Sequence, residues 1–189
     1  MVDISSQIQT VFPNTMQALN KEGLDRLFSE FSVEVFSLSG GHISADTAWM
    51  HWFPAYLKIQ NVKANLLELA EFEYLKHVSC VLSMGEPKLD PQQVQLNPSA
   101  QFVFLSTFHP SINKKAGLYC LFNHNGEPKE LLLSPTHAHV IDTLHEPRKF
   151  SVQQLIEASA IDRQDENHDF ESAIDELIDI GLLVVSQNF

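Results

Sequence analysis

Nine histidines and two cysteines are the residues of this sequence whose side chains could bind a metal or act as nucleophiles. His137 and His139 stand two positions apart, and residues at that spacing on a helix point to different faces. The sequence contains no HExxH, no CxxC and no other Cys/His spacing typical of zinc sites. Cys80 and Cys120 lie in apolar surroundings, which is typical of small core residues rather than reactive thiolates. We therefore predict no metal-ligating and no catalytic residue in this chain.

The stretch from Ile161 to Ile180 is strongly acidic. Against one basic residue, Arg163, it carries eight acidic ones: Asp162, Asp165, Glu166, Asp169, Glu171, Asp175, Glu176 and Asp179. Nucleic-acid affinity comes largely from Lys and Arg side chains that displace counterions, so this stretch would repel phosphates. The net charge of −12 likewise disfavours nucleic acid and anionic lipid. We expect a basic peptide or protein as the ligand.

Glu73 differs from the other carboxylates because it lies on the apolar side of a predicted helix from Val62 to Met84. Leu69, Ala70 and His77 share that side at helical spacing. A carboxylate buried there needs hydrogen bonds or an ion pair, since a buried charge without them costs several kcal/mol. We expect Glu73 to have a structural role, holding a neighbouring helix or backbone segment, with a catalytic role as the alternative.

Apolar residues at three- and four-residue spacings predict helices through most of the first 84 residues. One of these helices is expected to begin after Ser44 and to be closed by Pro54. From Glu86 to Ala100 the composition changes to Pro, Gln and Asn, which indicates a linker. The sequence therefore predicts a helical N-terminal domain over residues 1–90 and a second domain over residues 91–189.

The second domain has the element order of a winged helix. A hairpin turn at Asn123–Gly126 leads into a strand at Lys129–Leu133, and Ser134-Pro135 begins the first of three short helices. Gly181 ends the last helix before an apolar strand, Leu182–Val185. This order predicts an α+β protein whose second domain is winged-helix-like with a small antiparallel sheet, a scaffold that binds either nucleic acid or a peptide.

The strand at Lys129–Leu133 is the predicted peptide-binding element. An unpaired edge strand can add an extended peptide through backbone hydrogen bonds. The last helix would line the groove beside it, with apolar contacts on one side and with Asp169 and Glu176 attracting basic side chains. The predicted peptide-binding residues are Lys129, Glu130, Leu131, Leu132, Leu133, Asp169, Phe170, Ala173, Ile174, Glu176 and Leu177. The same strand could instead be an internal strand without a guest.

Two sets of motifs resemble known families. Glu130–Ala138, Phe150–Leu155 and Leu177–Leu183 resemble PqqD-like precursor-peptide recognition elements, which bind a leader peptide as an added strand between their third strand and last helix. Leu66–Tyr74 is similar to the helical LARLEWA segment of a bacterial family once described as DNA-binding. Members of that family are partner subunits of TIM-barrel, multi-iron enzymes that modify peptides.

The combination most resembles the MbnC family of methanobactin biosynthesis subunits. The resemblance implies a heterodimer with an MbnB-like TIM-barrel iron enzyme and an MbnA-like precursor peptide, whose cysteines become oxazolone and thioamide groups. Iron would then belong to the partner subunit, and this chain would hold no cofactor. Leader peptides of this pathway tend to be basic, in agreement with the acidic last helix.

Four other functions stay open at this point. The chain could serve a different ribosomally made copper-binding peptide, stabilise the iron enzyme without touching the peptide, regulate transcription as a winged helix, or be an enzyme by itself. The sequence has no apolar run of the roughly 18–20 residues that span a bilayer. Its start lacks the pattern of a signal peptide. We therefore expect a cytoplasmic protein with no membrane partner.

Overall fold

A computed structural model describes residues 4–38, 50–81, 93–145, 149–161 and 169–185 of the chain. It divides into two compact units, the first comprising residues 1–77 and 103–117 and the second comprising residues 78–102 and 118–189. The units are thus not consecutive in sequence, since the segment 103–117 belongs with the N-terminal helices. The domain boundary predicted between residues 90 and 91 lies outside the described residues.

The protein is α+β, as predicted, with eight helices and two small antiparallel sheets in its described parts. The helices are α1 Ile4–Val11, α2 Pro13–Lys21, α3 Arg26–Leu38, α4 Trp52–Ile59, α5 Ala64–Val81, α6 Pro135–Leu144, α7 Val152–Ile161 and α8 Phe170–Asp179. The strands are β1 Val94–Leu96, β2 Gln101–Leu105, β3 Gly117–His124, β4 Glu127–Leu132 and β5 Leu183–Val185. One sheet pairs β1 with β5, and the other has the order β2-β3-β4. None of the described helices is both long and apolar enough to cross a membrane.

The core of the first unit is aromatic and centres on Phe53. Its ring is fully buried, with ring centroids 4.8 Å from Phe12 and 5.0 Å from Phe31. Such pairs add roughly 0.5–1.5 kcal/mol each beyond the burial of their area. Pro54 was expected to close a helix, but it lies instead in the first turn of α4. A proline is tolerated there because the first backbone N–H groups of a helix have no partner within the helix.

The second unit builds its core between α6, α7, α8 and one face of the β3–β4 hairpin. Val140, Leu155, Ile174 and Leu177 are fully buried there, together with Cys120 from β3. The predicted hairpin is confirmed, because β3 and β4 are antiparallel and His124 pairs with Glu127 across the two-residue turn. Both turn residues have positive φ, 55° and 83°, as a type I′ turn requires.

A polar cluster connects β3 with the segments next to β1 and β5. The Asn97 side-chain Nδ2 donates to the carbonyl oxygens of Asn123 and Gly181, at 2.9 Å each. Its Oδ1 accepts from the Ser99 hydroxyl at 2.7 Å, and that hydroxyl accepts from Asn123 N. Asn97, Ser99 and β1 all lie in the segment that composition indicated as a linker. A three-residue strand there depends on its partner β5, about 90 residues later in the chain, so local composition could not reveal it.

Replacing Gly181 with alanine should destabilise the protein by about 1–3 kcal/mol. Gly181 has a φ of 79°, and a methyl group there would overlap the imidazole of His124. Gly126→Ala is the matched control, since Gly126 also has positive φ but no heavy atom lies within 4 Å of the added Cβ. Urea unfolding of both variants would separate the backbone cost from the overlap. Equal losses would show that His124 moves aside without cost.

Candidate functional site

Strand β4 forms the edge of its sheet within the described part of the chain. It pairs with β3 on one side, and no other described strand pairs with it. Leu133 N donates to Leu118 O at 2.9 Å, which sets the alternation of hydrogen-bonded and non-hydrogen-bonded pairs along the hairpin. Leu131 therefore directs its backbone groups toward β3, whereas those of Glu130 and Leu132 point away from β3. Strand addition requires an edge of this kind.

The side chains of β4 differ between the two faces of the strand. Leu133 is buried in the core of the second unit, and Leu131 packs partly against that core. Leu132, on the other face, keeps 42% of its surface exposed. Lys129 is exposed and forms a surface ion pair with Glu127 at 3.0 Å. At Leu132, β4 thus combines an exposed side chain with backbone groups that point away from β3.

Helix α8 places the remaining predicted peptide-binding residues, and most of them are buried. Phe170, Ala173, Ile174 and Leu177 all belong to the interior of the second unit, with at most 7% exposed surface. The apolar contacts predicted for them with a guest are made inside the unit, because their spacing forms the stripe by which the helix packs. Asp169 caps its own helix, since its Oδ1 accepts from Ser172 N at 2.9 Å.

Glu176 is the predicted site residue of α8 whose carboxylate contacts a side chain of a different element. Its Oε2 lies 3.2 Å from Nε2 of His137 in the first turn of α6, whose side chain is only 10% exposed. The Glu176 side chain itself is 58% exposed. Ser134 caps α6, with its hydroxyl accepting from His137 N at 3.1 Å, and one residue separates it from the end of β4. The sequence offered His137 only as a possible metal ligand, because His137 and Glu176 are 39 positions apart and no local pattern joins them.

Glu73 is buried in the first unit and anchors the start of α2. Its Oε1 accepts from the backbone N and side-chain Nδ2 of Asn14, both at 2.8 Å. Its Oε2 accepts from the backbone N of Thr15 at 2.9 Å and from the Thr15 hydroxyl at 2.7 Å. The first N–H groups of a helix have no partner within the helix and favour a negative charge. The carboxylate satisfies them, so Glu73 has a structural function in this unit.

A second carboxylate of α5, Glu68, holds the loop that follows β2. Its Oε2 accepts from Ser106 N at 2.9 Å and lies 3.0 Å from Nε2 of the buried His109. Burial by itself would raise the pKa of Glu68, but the hydrogen bonds from Ser106 and His109 outweigh it and lower the pKa below its ordinary value. No local pattern in the sequence predicted this group, because its members come from distant segments.

Replacing Glu68 with glutamine should speed amide exchange at His109 and Lys114 about tenfold at neutral pH, since these residues pair through the backbone in the loop that Glu68 holds. A lowered pKa in the folded state means that the carboxylate contributes above its ordinary pKa of 4.5 and loses that contribution as pH falls through the lowered pKa. The difference between wild type and variant should therefore shrink in acid. A difference independent of pH would show that the charge of Glu68 does not hold the loop.

The two cysteines occupy different environments. Cys120 is buried, and burial raises its pKa to about 12, so its thiol stays protonated at neutral pH. Cys80 is exposed, so the expectation of a core position is wrong for it. The buried stripe of α5 continues through Ser79 instead, seven positions after Phe72. Across the described ranges, no group of three or more His, Cys, Asp or Glu side chains could hold a metal ion.

No family model matches this chain, and no curated protein matches it significantly.

Proposed function

We propose that this chain is a peptide-binding subunit that captures the leader of a precursor peptide as an added strand on β4. The observation that carries this function is the outer edge of β4, where Leu132 combines outward backbone groups with a side chain that is 42% exposed. Backbone pairing supplies affinity in such complexes, and side chains beside the edge supply selectivity. The succession β4, α6, α7, α8 and β5 supports a winged-helix-like, PqqD-like interpretation of the second unit.

The peptide is expected to be basic. Glu171, Asp175, Glu176 and Asp179 are all exposed on α8, close to one another along the helix. They create a negative potential that attracts cationic segments and repels phosphates. The same charges argue against a winged-helix regulator of transcription, which would bring Lys and Arg to DNA.

The chemistry would belong to a partner in this proposal. The motifs that resemble the MbnC family suggest an MbnB-like iron enzyme as that partner and an MbnA-like precursor as the substrate, all in the cytoplasm. This chain would then be a non-catalytic subunit that presents the core cysteines of the precursor for conversion to oxazolone and thioamide groups. A partner subunit for another copper-binding peptide is the second candidate, because strand addition recognises backbone and tolerates different side chains.

The proposed function can be tested by titrating a fluorescein-labelled, lysine-containing leader peptide of the MbnA type with the chain, alone and with a co-expressed MbnB-like subunit. Binding by the chain alone, with slower amide exchange at Leu132, is the expected result. Binding only in the presence of the enzyme, with Leu132 unaffected, would place the peptide on a composite surface and contradict strand addition on β4. If neither sample binds the peptide while a stable heterodimer forms, the chain is a scaffold and the proposal is wrong.

A further inference from the structure

The His137–Glu176 pair distinguishes one acidic residue of α8 from the others. Asp169 is used as a helix cap, and Glu171, Asp175 and Asp179 are exposed. Among the acidic side chains that the structure describes on α8, only that of Glu176 is in polar contact with a side chain of another element. A buried side chain therefore holds a mostly exposed carboxylate.

The position of this pair relates it to β4. His137 lies in the first turn of α6, and Ser134, which caps that helix, follows β4 with one residue between them. The Glu176 carboxylate, 3.2 Å from the imidazole, therefore contacts a residue that lies five positions after the last residue of β4. A peptide paired along the outer edge of β4 would bring one of its residues close to this carboxylate.

The environment of His137 indicates what the imidazole does. The residue is 8% exposed, and its Nδ1 is buried without a hydrogen-bond partner in the described structure. The polar interaction of the ring is therefore directed through Nε2 to Glu176. A glutamate on the surface normally samples many rotamers, and fixing it when a ligand binds costs conformational entropy. A glutamate already restrained by a buried imidazole avoids part of that cost.

We infer that Glu176 recognises one Lys or Arg of the bound peptide, at a single register position next to the end of β4, and that His137 is the positioning residue that orients its carboxylate. This inference rests on the proposed function, because it needs a peptide on β4. It narrows the substrate class to extended peptides with a basic side chain at one defined position. The other acidic residues of α8 would contribute only a general attraction that salt screens.

The test is a double-mutant cycle between the chain and the labelled leader peptide, in which each basic residue of the peptide is replaced in turn by glutamine. One replacement should weaken binding to the wild-type chain about fivefold, the upper range for an exposed ion pair. Glu176→Gln should cause the same loss of affinity for the wild-type peptide. In that variant, the one peptide replacement should no longer change the affinity. Glu171→Gln, which removes the same charge from the same helix, should weaken all the peptides equally.

Variants of His137 test the positioning role separately from folding. His137→Leu should reduce the ratio between the affinities for the basic and the neutral peptide at the coupled position toward one. His137→Gln retains an N–H donor near the position of Nε2 and should restore most of the preference. If His137 had only a structural role, its replacement would instead weaken the binding of every peptide by the same factor.

The outcomes distinguish this inference from the proposed function. If the peptide slows exchange at Leu132 but no single position couples to Glu176, only the inference is wrong. If Glu176→Gln and Glu171→Gln behave identically with every peptide, the inference is likewise overturned. If the wild-type chain binds none of the peptides, with or without the enzyme, the proposed function fails first.

Discussion

Replacing Leu132 with proline is expected to weaken binding of the leader peptide by about 10- to 100-fold without destabilising the chain. The backbone N–H of Leu132 points away from β3, so proline removes no bond of the hairpin. It removes a donor to the guest and places a ring where the guest backbone would approach. Pro128 already occupies an equivalent outward position in the same strand, which shows that β4 accommodates proline there.

Two controls make this prediction specific. Leu132→Ala deletes the exposed side chain and keeps the N–H, so it should retain most of the affinity that proline abolishes. Leu131→Pro removes an N–H directed at β3 and should destabilise the hairpin by roughly 3 kcal/mol or more. Peptide titration and urea unfolding of the three variants provide the comparison. Normal binding by a folded Leu132→Pro chain would exclude β4 as the peptide site.

Replacing Glu73 with leucine is expected to destabilise the first unit by about 3–5 kcal/mol, the range for breaking a buried charged network by removing one partner. The change leaves the backbone N–H groups of Asn14 and Thr15 and the buried Thr15 hydroxyl without their acceptor. It also removes a negative charge from the N-terminus of α2. Unfolding should be followed by urea titration and by amide exchange at Asn14 and Thr15, because a chain with two units need not unfold in one step.

Glu71→Gln is the matched control for Glu73→Gln, two positions along the same helix. Burial raises the pKa of Glu71, so its charge is disfavoured in the folded protein and its removal should be neutral or slightly stabilising. Glu73→Gln should be destabilising, because an amide keeps one acceptor oxygen but presents an NH₂ group to donors. Similar stability of the two glutamine variants would contradict an anchoring role for Glu73.

Features that depend on a few neighbouring residues followed directly from the sequence. Asn125-Gly126 predicted the β3–β4 turn because these residue types tolerate positive φ, and Ser134-Pro135 predicted the start of α6 because they cap and preorganise a first turn. Gly181 predicted the end of α8 for the same conformational reason. The acidity of α8 and the resulting expectation of a basic ligand also needed no coordinates.

Contacts between distant segments were decided by the tertiary structure alone. Glu73 could be expected to need partners, but Asn14 and Thr15 became those partners only when α2 and α5 packed together. The pairing of β1 with β5, the attachment of the loop at His109 to Glu68, and the His137–Glu176 contact likewise join residues that no local pattern connects. The physical reason is that side-chain type and spacing determine local conformation and polarity, whereas the partner of a buried polar group depends on which elements pack against each other.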